Sequence, residues 1–296
     1  MNSKTRVMAA VHLEESDRVP ICAERLSRPF LESLQRCFRI DAHRNLDGPY
    51  QNIKVQAKLG LDVILCEPTD KVVKIQDGLF RDGWGVVYQF AEGSSEAYVV
   101  GHPLKNHEDI EKCVLPDPLI PDRFVAIGQV IKGYGERFAI LAGVESVFEK
   151  AYNMRGLYDL LLDFYRNPNA VRKLFEKIAR YRIEQAKVIA DMGIDIFYTG
   201  SDYGTQTGLM VDPELWRNLV KPYEKRIIDI PRSKGIPVFV HSCGNIGAIL
   251  EDLVEIGVDI INPVQPRALD PAYVKCRVPQ LMTLFVDIDN DSVLVD

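Results

Sequence analysis

Apolar residues along this chain fall into short unbroken runs, and glycine-containing turns introduce several of them. Leu59-Gly60-Leu61-Asp62 leads into Val63-Ile64-Leu65-Cys66, and Met192-Gly193-Ile194-Asp195 into Ile196-Phe197-Tyr198-Thr199. In the same way Lys234-Gly235-Ile236-Pro237 leads into Val238-Phe239-Val240-His241, and Ile256-Gly257-Val258-Asp259 into Ile260-Ile261-Asn262-Pro263. Glycine ends a helix in the left-handed conformation, and a run that is apolar at every position reads as a strand buried on both faces. Amphipathic stretches separate the runs. Val171 to Asp191 shows helical apolar spacing at Leu174, Ile178, Tyr181 and Ala186. Asp212-Pro213-Glu214-Leu215 opens another helix, with Asp as N-cap and Pro in the first turn. Strands are expected near 19–24, 62–67, 138–144, 195–200, 237–242, 259–264 and 281–287. Buried strands alternating with helices imply a parallel sheet with crossover helices.

One stretch breaks the rhythm. Residues 70–100 alternate apolar and polar positions around Gly turns, which predicts β-hairpins inserted over one end of the sheet. With a helical lead over about 1–18, the expectation is one domain of 1–296, an α/β fold of the TIM-type (β/α)₈ barrel class. Such a barrel takes roughly 250 residues.

Composition narrows the function classes. The net charge of −6, with both signs interleaved, argues against a nucleic-acid partner. No apolar stretch approaches the ~18 residues of a membrane helix, and the N-terminus lacks a signal-peptide pattern, so a cytoplasmic address is expected. The six cysteines show no CxxC spacing, which fits free thiols in a reducing compartment.

His241-Ser242-Cys243-Gly244-Asn245 follows a strand and precedes a helix, the position where parallel α/β folds collect catalytic groups. Imidazole and thiolate two residues apart make a zinc half-site, and Gly244 lets the chain bend so that both reach one point. Alternatively His241 bonds a core carbonyl or orients a substrate. Other polar groups also sit at strand ends: Glu67, Glu145, Asp202 and Gln265, with Tyr203 and Gln206 beside Asp202. Each alone could be a helix cap. A barrel brings all of them to one rim, where Asp202 could act as acid, base or metal ligand.

Seven segments are spread in order along the chain: Asp82-Gly83-Trp84-Gly85, His102-Pro103-Leu104, and Phe148-Glu149-Lys150-Ala151-Tyr152 with Arg155-Gly156; then Gly200-Ser201-Asp202-Tyr203-Gly204, Lys221-Pro222-Tyr223, His241-Ser242-Cys243-Gly244, and Asn262-Pro263-Val264-Gln265-Pro266. In these the chain resembles the uroporphyrinogen decarboxylase superfamily, and within it the corrinoid (cobalamin)-dependent methyltransferase branch. The resemblance implies a (β/α)₈ barrel whose zinc is held by His241 and Cys243, with Gln265 at a position where related sites can carry an acidic ligand. It implies methyl transfer between a small methylated substrate or a thiol and a corrinoid carried by a separate protein. Asp202 and His241 are the expected catalytic residues, and Glu145, Glu149, Tyr203 and Gln206 the expected substrate-binding ones.

The chain departs from the family pattern in four places. No cysteine stands near Asp287-Ile288-Asp289, where thiol methyltransferases of the family place a third zinc ligand; Asp287, Asp289, Glu145 or Gln265 are the candidate substitutes. The arginine-rich motif of true decarboxylases, expected after Arg18-Val19-Pro20, is replaced by Ile21-Cys22-Ala23-Glu24-Arg25-Leu26-Ser27-Arg28, and the aspartate after the next strand by Cys66-Glu67. That leaves a cofactor-free decarboxylase as the alternative reading. The chain stops at Asp296, after the seventh expected strand, so a truncated, inactive paralogue is the other alternative. A homodimer that covers the open edge is a further expectation.

Overall fold

The computed structural model describes residues 1–23, 28–40, 53–90, 97–278 and 283–286. Ten strands are present among them: β1 (Val63–Cys66), β2 (Val72–Gln76), β3 (Leu79–Asp82), β4 (Val87–Phe90), β5 (Ala97–Gly101), β6 (Ala139–Gly143), β7 (Ile196–Gly200), β8 (Val238–His241), β9 (Ile260–Val264) and β10 (Thr283–Val286). Six of them form a parallel sheet in the order β1-β6-β7-β8-β9-β10. Each strand lies next to the one that precedes it in this series, with no reversal of direction across the sheet. That is the winding of a barrel wall and not of a doubly wound open sheet.

Burial follows strand parity. Val63, Leu65, Ala139, Leu141, Ile196, Phe239 and Ile260 pack into one apolar cluster with Val7 and Val11 of the N-terminal helix Ser3–Val11. Their neighbours Ile64, Cys66, Ile140, Ala142, Phe197, Val238, Val240 and Ile261 belong to the larger cluster shared with the helices. Because side chains alternate along a strand, a sheet covered on both faces must be apolar at every position. The unbroken runs in the sequence have this cause. The longest helix, Pro168–Asp191, buries Leu174, Ile178, Tyr181 and Ala186, the positions its periodicity marks.

The strand expected at 19–24 does not form over its described part. Residues 19–23 carry no ladder; Asp62 ties them to β1 instead. The buried Asp62 carboxylate accepts from Ile21 N at 2.8 Å and is paired with Arg6 and Arg18, each at 2.7 Å. Of the helical lead, only Ser3–Val11 is helix.

The alternating stretch is a four-stranded antiparallel meander, β2-β3-β4-β5. It docks through Trp84, whose ring lies 4.4 Å from that of Tyr181 and carries the cations of Lys150 at 5.3 Å and Arg182 at 5.1 Å. Among the described residues no helix is long and apolar enough to cross a membrane.

Candidate metal and substrate site

Strand register decides which side chains meet. The β7–β8 ladder pairs Gly200 with His241, and the β8–β9 ladder pairs His241 with Asn262. Two residues past the first pair, Asp202 is level with Cys243; three past the second, Gln265 is level with Gly244. Each of these pairings is made. Cys243 N donates to Asp202 Oδ1 at 2.9 Å, and Gly244 N donates to Gln265 Oε1 at 2.8 Å. His241 Nδ1 meets Asn262 Oδ1 at 2.9 Å.

An amide oxygen can only accept, so Nδ1 of His241 carries the proton and Nε2 presents its lone pair. That lone pair faces Asp202 Oδ1 at 3.4 Å and Cys243 Sγ at 3.6 Å. Ligand atoms of Asp202, His241 and Cys243 all lie within 4.8 Å of one another. With its proton in place the Cys243 thiol donates within the cluster; once the thiol ionises, three electron-pair donors face one point and a cation must stand between them. Either a second proton on His241 or a metal ion satisfies the arrangement. Around tetrahedral zinc with bonds of ~2.0–2.3 Å, neighbouring ligand atoms stand roughly 3.3–3.6 Å apart; the three donors here suit zinc in kind, and the two distances from Nε2 suit it in spacing. When His241 carries a second proton, its hydrogen bond holds the Asp202 carboxyl below its ordinary range against the opposing effect of burial, and the bond from Cys243 N adds to this.

A second group of carboxyls comes from the end of β6. Glu145 follows that strand, and Oε2 of its carboxylate is gripped by Lys150 at 2.9 Å and Arg182 at 2.5 Å, both buried. Glu149 lies one turn into the helix Val147–Arg155, where burial, aided by the negative charges of Glu145 and Asp202, pushes its carboxyl up to about 8. Tyr152 bonds to it, and burial with the surrounding carboxylates raises the phenol above its usual range.

The other expected residues lie in different settings. Tyr203 is buried behind the site between Phe148 and Trp216, with ring centroids 5.6 and 5.7 Å away. Gln206 is exposed on a turn closed by Thr205 N donating to Gly208 O. Gln265 spends its carbonyl oxygen on Gly244 N, so it braces the loop that carries Cys243. Glu67 is exposed at the end of β1. Arg25, Asp287 and Asp289 lie outside the described residues, as does the side chain of Arg28. Reading the sequence missed Asn262, Lys150 and Arg182 as parts of the site. Lys150 and Asn262 stand inside segments singled out above, where a lysine beside Glu149 and a polar residue in an apolar strand were the available signals.

Comparison with known proteins supplies the family. The family model described as Uroporphyrinogen decarboxylase (URO-D) matches residues 2–273. The chain belongs to the uroporphyrinogen decarboxylase family. Two curated relatives are each named Methylcobamide:CoM methyltransferase MtbA, from Methanosarcina mazei and Methanosarcina acetivorans. Each is 23% identical to this family member over 168 residues, 55% of this chain and 48% of the relative. The chain thus spans about half the length of the curated relatives it matches. A solved methyltransferase from Methanosarcina mazei superposes with a TM-score of 0.68 over 94% of this chain and 81% of the other, at 19% identity. At that identity the likeness shows the fold: an α/β fold of the TIM-barrel type.

Proposed function

We propose that this protein is a corrinoid-dependent methyltransferase that uses zinc to move a methyl group between a small methylated substrate or thiol and a corrinoid protein. One observation carries the reading: Nε2 of His241, Sγ of Cys243 and a carboxylate oxygen of Asp202 converge at the strand ends, all within 4.8 Å of one another. The names of the matched relatives supply the reaction class. Three protein ligands leave one position open, which is the form of a catalytic zinc site. Zinc held there supplies a Lewis acid that keeps a bound thiol or similar group anionic at neutral pH.

The chain's own residues do the rest. Asn262 fixes the tautomer and ring orientation of His241, and Gln265 and Asp202 hold the backbone of the Cys243 loop. Glu149, whose carboxyl burial holds above its ordinary range, is the group that gives a proton to a product from which a methyl has been removed. Glu145 is gripped by Lys150 and Arg182 and serves as a substrate-binding group beside Glu149.

The test is metal content of freshly purified protein, wild type beside Cys243→Ser and His241→Ala, with methyl transfer from methylcobamide to thiols measured on the same samples. Near-stoichiometric zinc in the wild type, lost in both variants together with transfer, is the expected outcome. Metal-free wild type with full transfer activity overturns the zinc assignment. Metal-free protein that instead decarboxylates uroporphyrinogen replaces the reading with the lyase one.

A further inference from the structure

Behind the Asp202–His241–Cys243 cluster, three polar side chains are sealed from solvent and bonded to one another. Ser146, Tyr203 and Glu224 are 0%, 2% and 3% exposed. The Tyr203 hydroxyl is bonded by both Ser146 and Glu224. Glu224, on the helix Lys221–Arg232, also accepts from Val147 N at 2.9 Å. Ser146 Oγ accepts from Glu149 N at 3.2 Å. From the other end of the tyrosine, Tyr203 N donates to Ser242 Oγ at 3.0 Å, and Ser242 N reaches Asn262 O at 2.7 Å. These bonds run through the three loops that carry Glu145, Asp202 and Cys243: Ser146 and Val147 after β6, Tyr203 after β7, Ser242 after β8.

Such a network is costly to keep. A buried carboxyl is penalised by desolvation, and a fold that needed only volume at this spot would gain stability from an apolar side chain. What the polar groups add is a fixed relation between loops, because each bond has one length and one direction. Asp202 is the residue before Tyr203, and Ser242 lies between His241 and Cys243. Holding Tyr203 therefore sets how far Asp202 stands from the other two.

We propose that Tyr203 and Glu224 are positioning residues, a buried brace that sets the spacing of Asp202 against His241 and Cys243. It rests on the metal-site reading for what the trio binds, though not for how the trio is placed. Tyr203 thereby takes a part different from the substrate contact expected of it.

Two measurements on folded, metal-stripped protein separate the brace from the metal. Variants are Tyr203→Phe, which removes one hydroxyl and keeps the ring, and Glu224→Gln, which keeps the size and the acceptor for Val147 N. The first measurement is the rate at which iodoacetamide alkylates Cys243, read by peptide mass spectrometry against the exposed Cys37 in the same molecule. The expected result is alkylation at least fivefold faster in Tyr203→Phe, as the half-buried thiol's loop is released. The second is titration with Co²⁺, followed by the thiolate-to-cobalt charge-transfer absorption. Affinity about tenfold weaker in both variants, with the band altered, is expected for loss of a supporting contact. Unchanged alkylation and unchanged Co²⁺ affinity in either folded variant overturn the brace. If the wild type takes up no Co²⁺ while Cys243 still becomes more reactive in the variants, the metal reading falls and the brace stands.

Discussion

Gly204 and Gly244 meet backbone to backbone where the loops after β7 and β8 pass each other. A Cβ on Gly244 would stand 2.5 Å from the carbonyl carbon of Gly204, and one on Gly204 would stand 2.8 Å from Cys243 O. Gly244 also holds a φ of +79°, in the left-handed region. Only glycine at both places lets Asp202 come level with Cys243.

Gly244→Ala is expected to lower stability by about 2–4 kcal/mol, from left-handed strain plus overpacking. It should also lose bound metal, because the loops must part. Urea unfolding and metal analysis of the same sample check this. A variant within 0.5 kcal/mol of wild type, by the usual tolerance for neutral surface changes, would show that the loops have room to yield.

Asn262→Ala removes the acceptor that keeps the proton on Nδ1 of His241. The ring then loses its fixed tautomer, and metal affinity should fall by roughly 10–100-fold with little change in fold. Competition with a chromophoric chelator measures it. Unchanged affinity would mean that Asn262 does not orient the ring.

Glu224 makes stability fall as pH rises. Burial pushes its carboxyl up to about 7, although Val147 N, Tyr203 and Arg182 all favour the charged form. Between the ordinary carboxyl range and pH 7 the folded state therefore holds a proton that the unfolded state has released, and the slope of unfolding free energy with pH is negative. Across that window the loss is on the order of 3 kcal/mol. Glu224→Gln should flatten the curve and be more stable than wild type at pH 8, as urea unfolding from pH 5 to 8 would show. A parallel curve would contradict this assignment.

Asp62 acts in the opposite sense. Its carboxyl is held below the ordinary range by the bond from Ile21 N and by Arg18 and Arg6, which together outweigh burial. Stability from this group is present above the ordinary carboxyl range and is lost as pH falls through its lowered value. Asp62→Ala leaves Arg6 buried without this partner, and a loss of about 3–5 kcal/mol is expected at neutral pH. Thermal and urea unfolding both report it.

Legibility differed by element. Six of the seven expected strands formed where the apolar runs lie, because burial on both faces forces an unbroken run and that signal is local. The strand expected at 19–24 makes no ladder over its described residues; Ile21 is tied instead to Asp62, a partner far along the chain. Of the site, His241 and Cys243 were legible as a pair because two residues on one strand end share a bend. Asp202 was legible as a strand-end carboxylate, while its place opposite Cys243 was not.

By itself, then, the sequence determined the alternation of buried strands and amphipathic helices, the inserted meander, and a His-x-Cys pair at a strand end, since each is written in residues close together along the chain. Tertiary structure alone decided that Asp202 faces Cys243 while Gln265 braces Gly244, that Tyr203 turns inward while Gln206 faces solvent, and that Glu224 supports a site from which it is 17 residues or more away in sequence. The reason is register. A shift of one residue between the parallel strands would change which loop residues stand level with one another beyond the strand ends, and register is set by packing across the whole sheet.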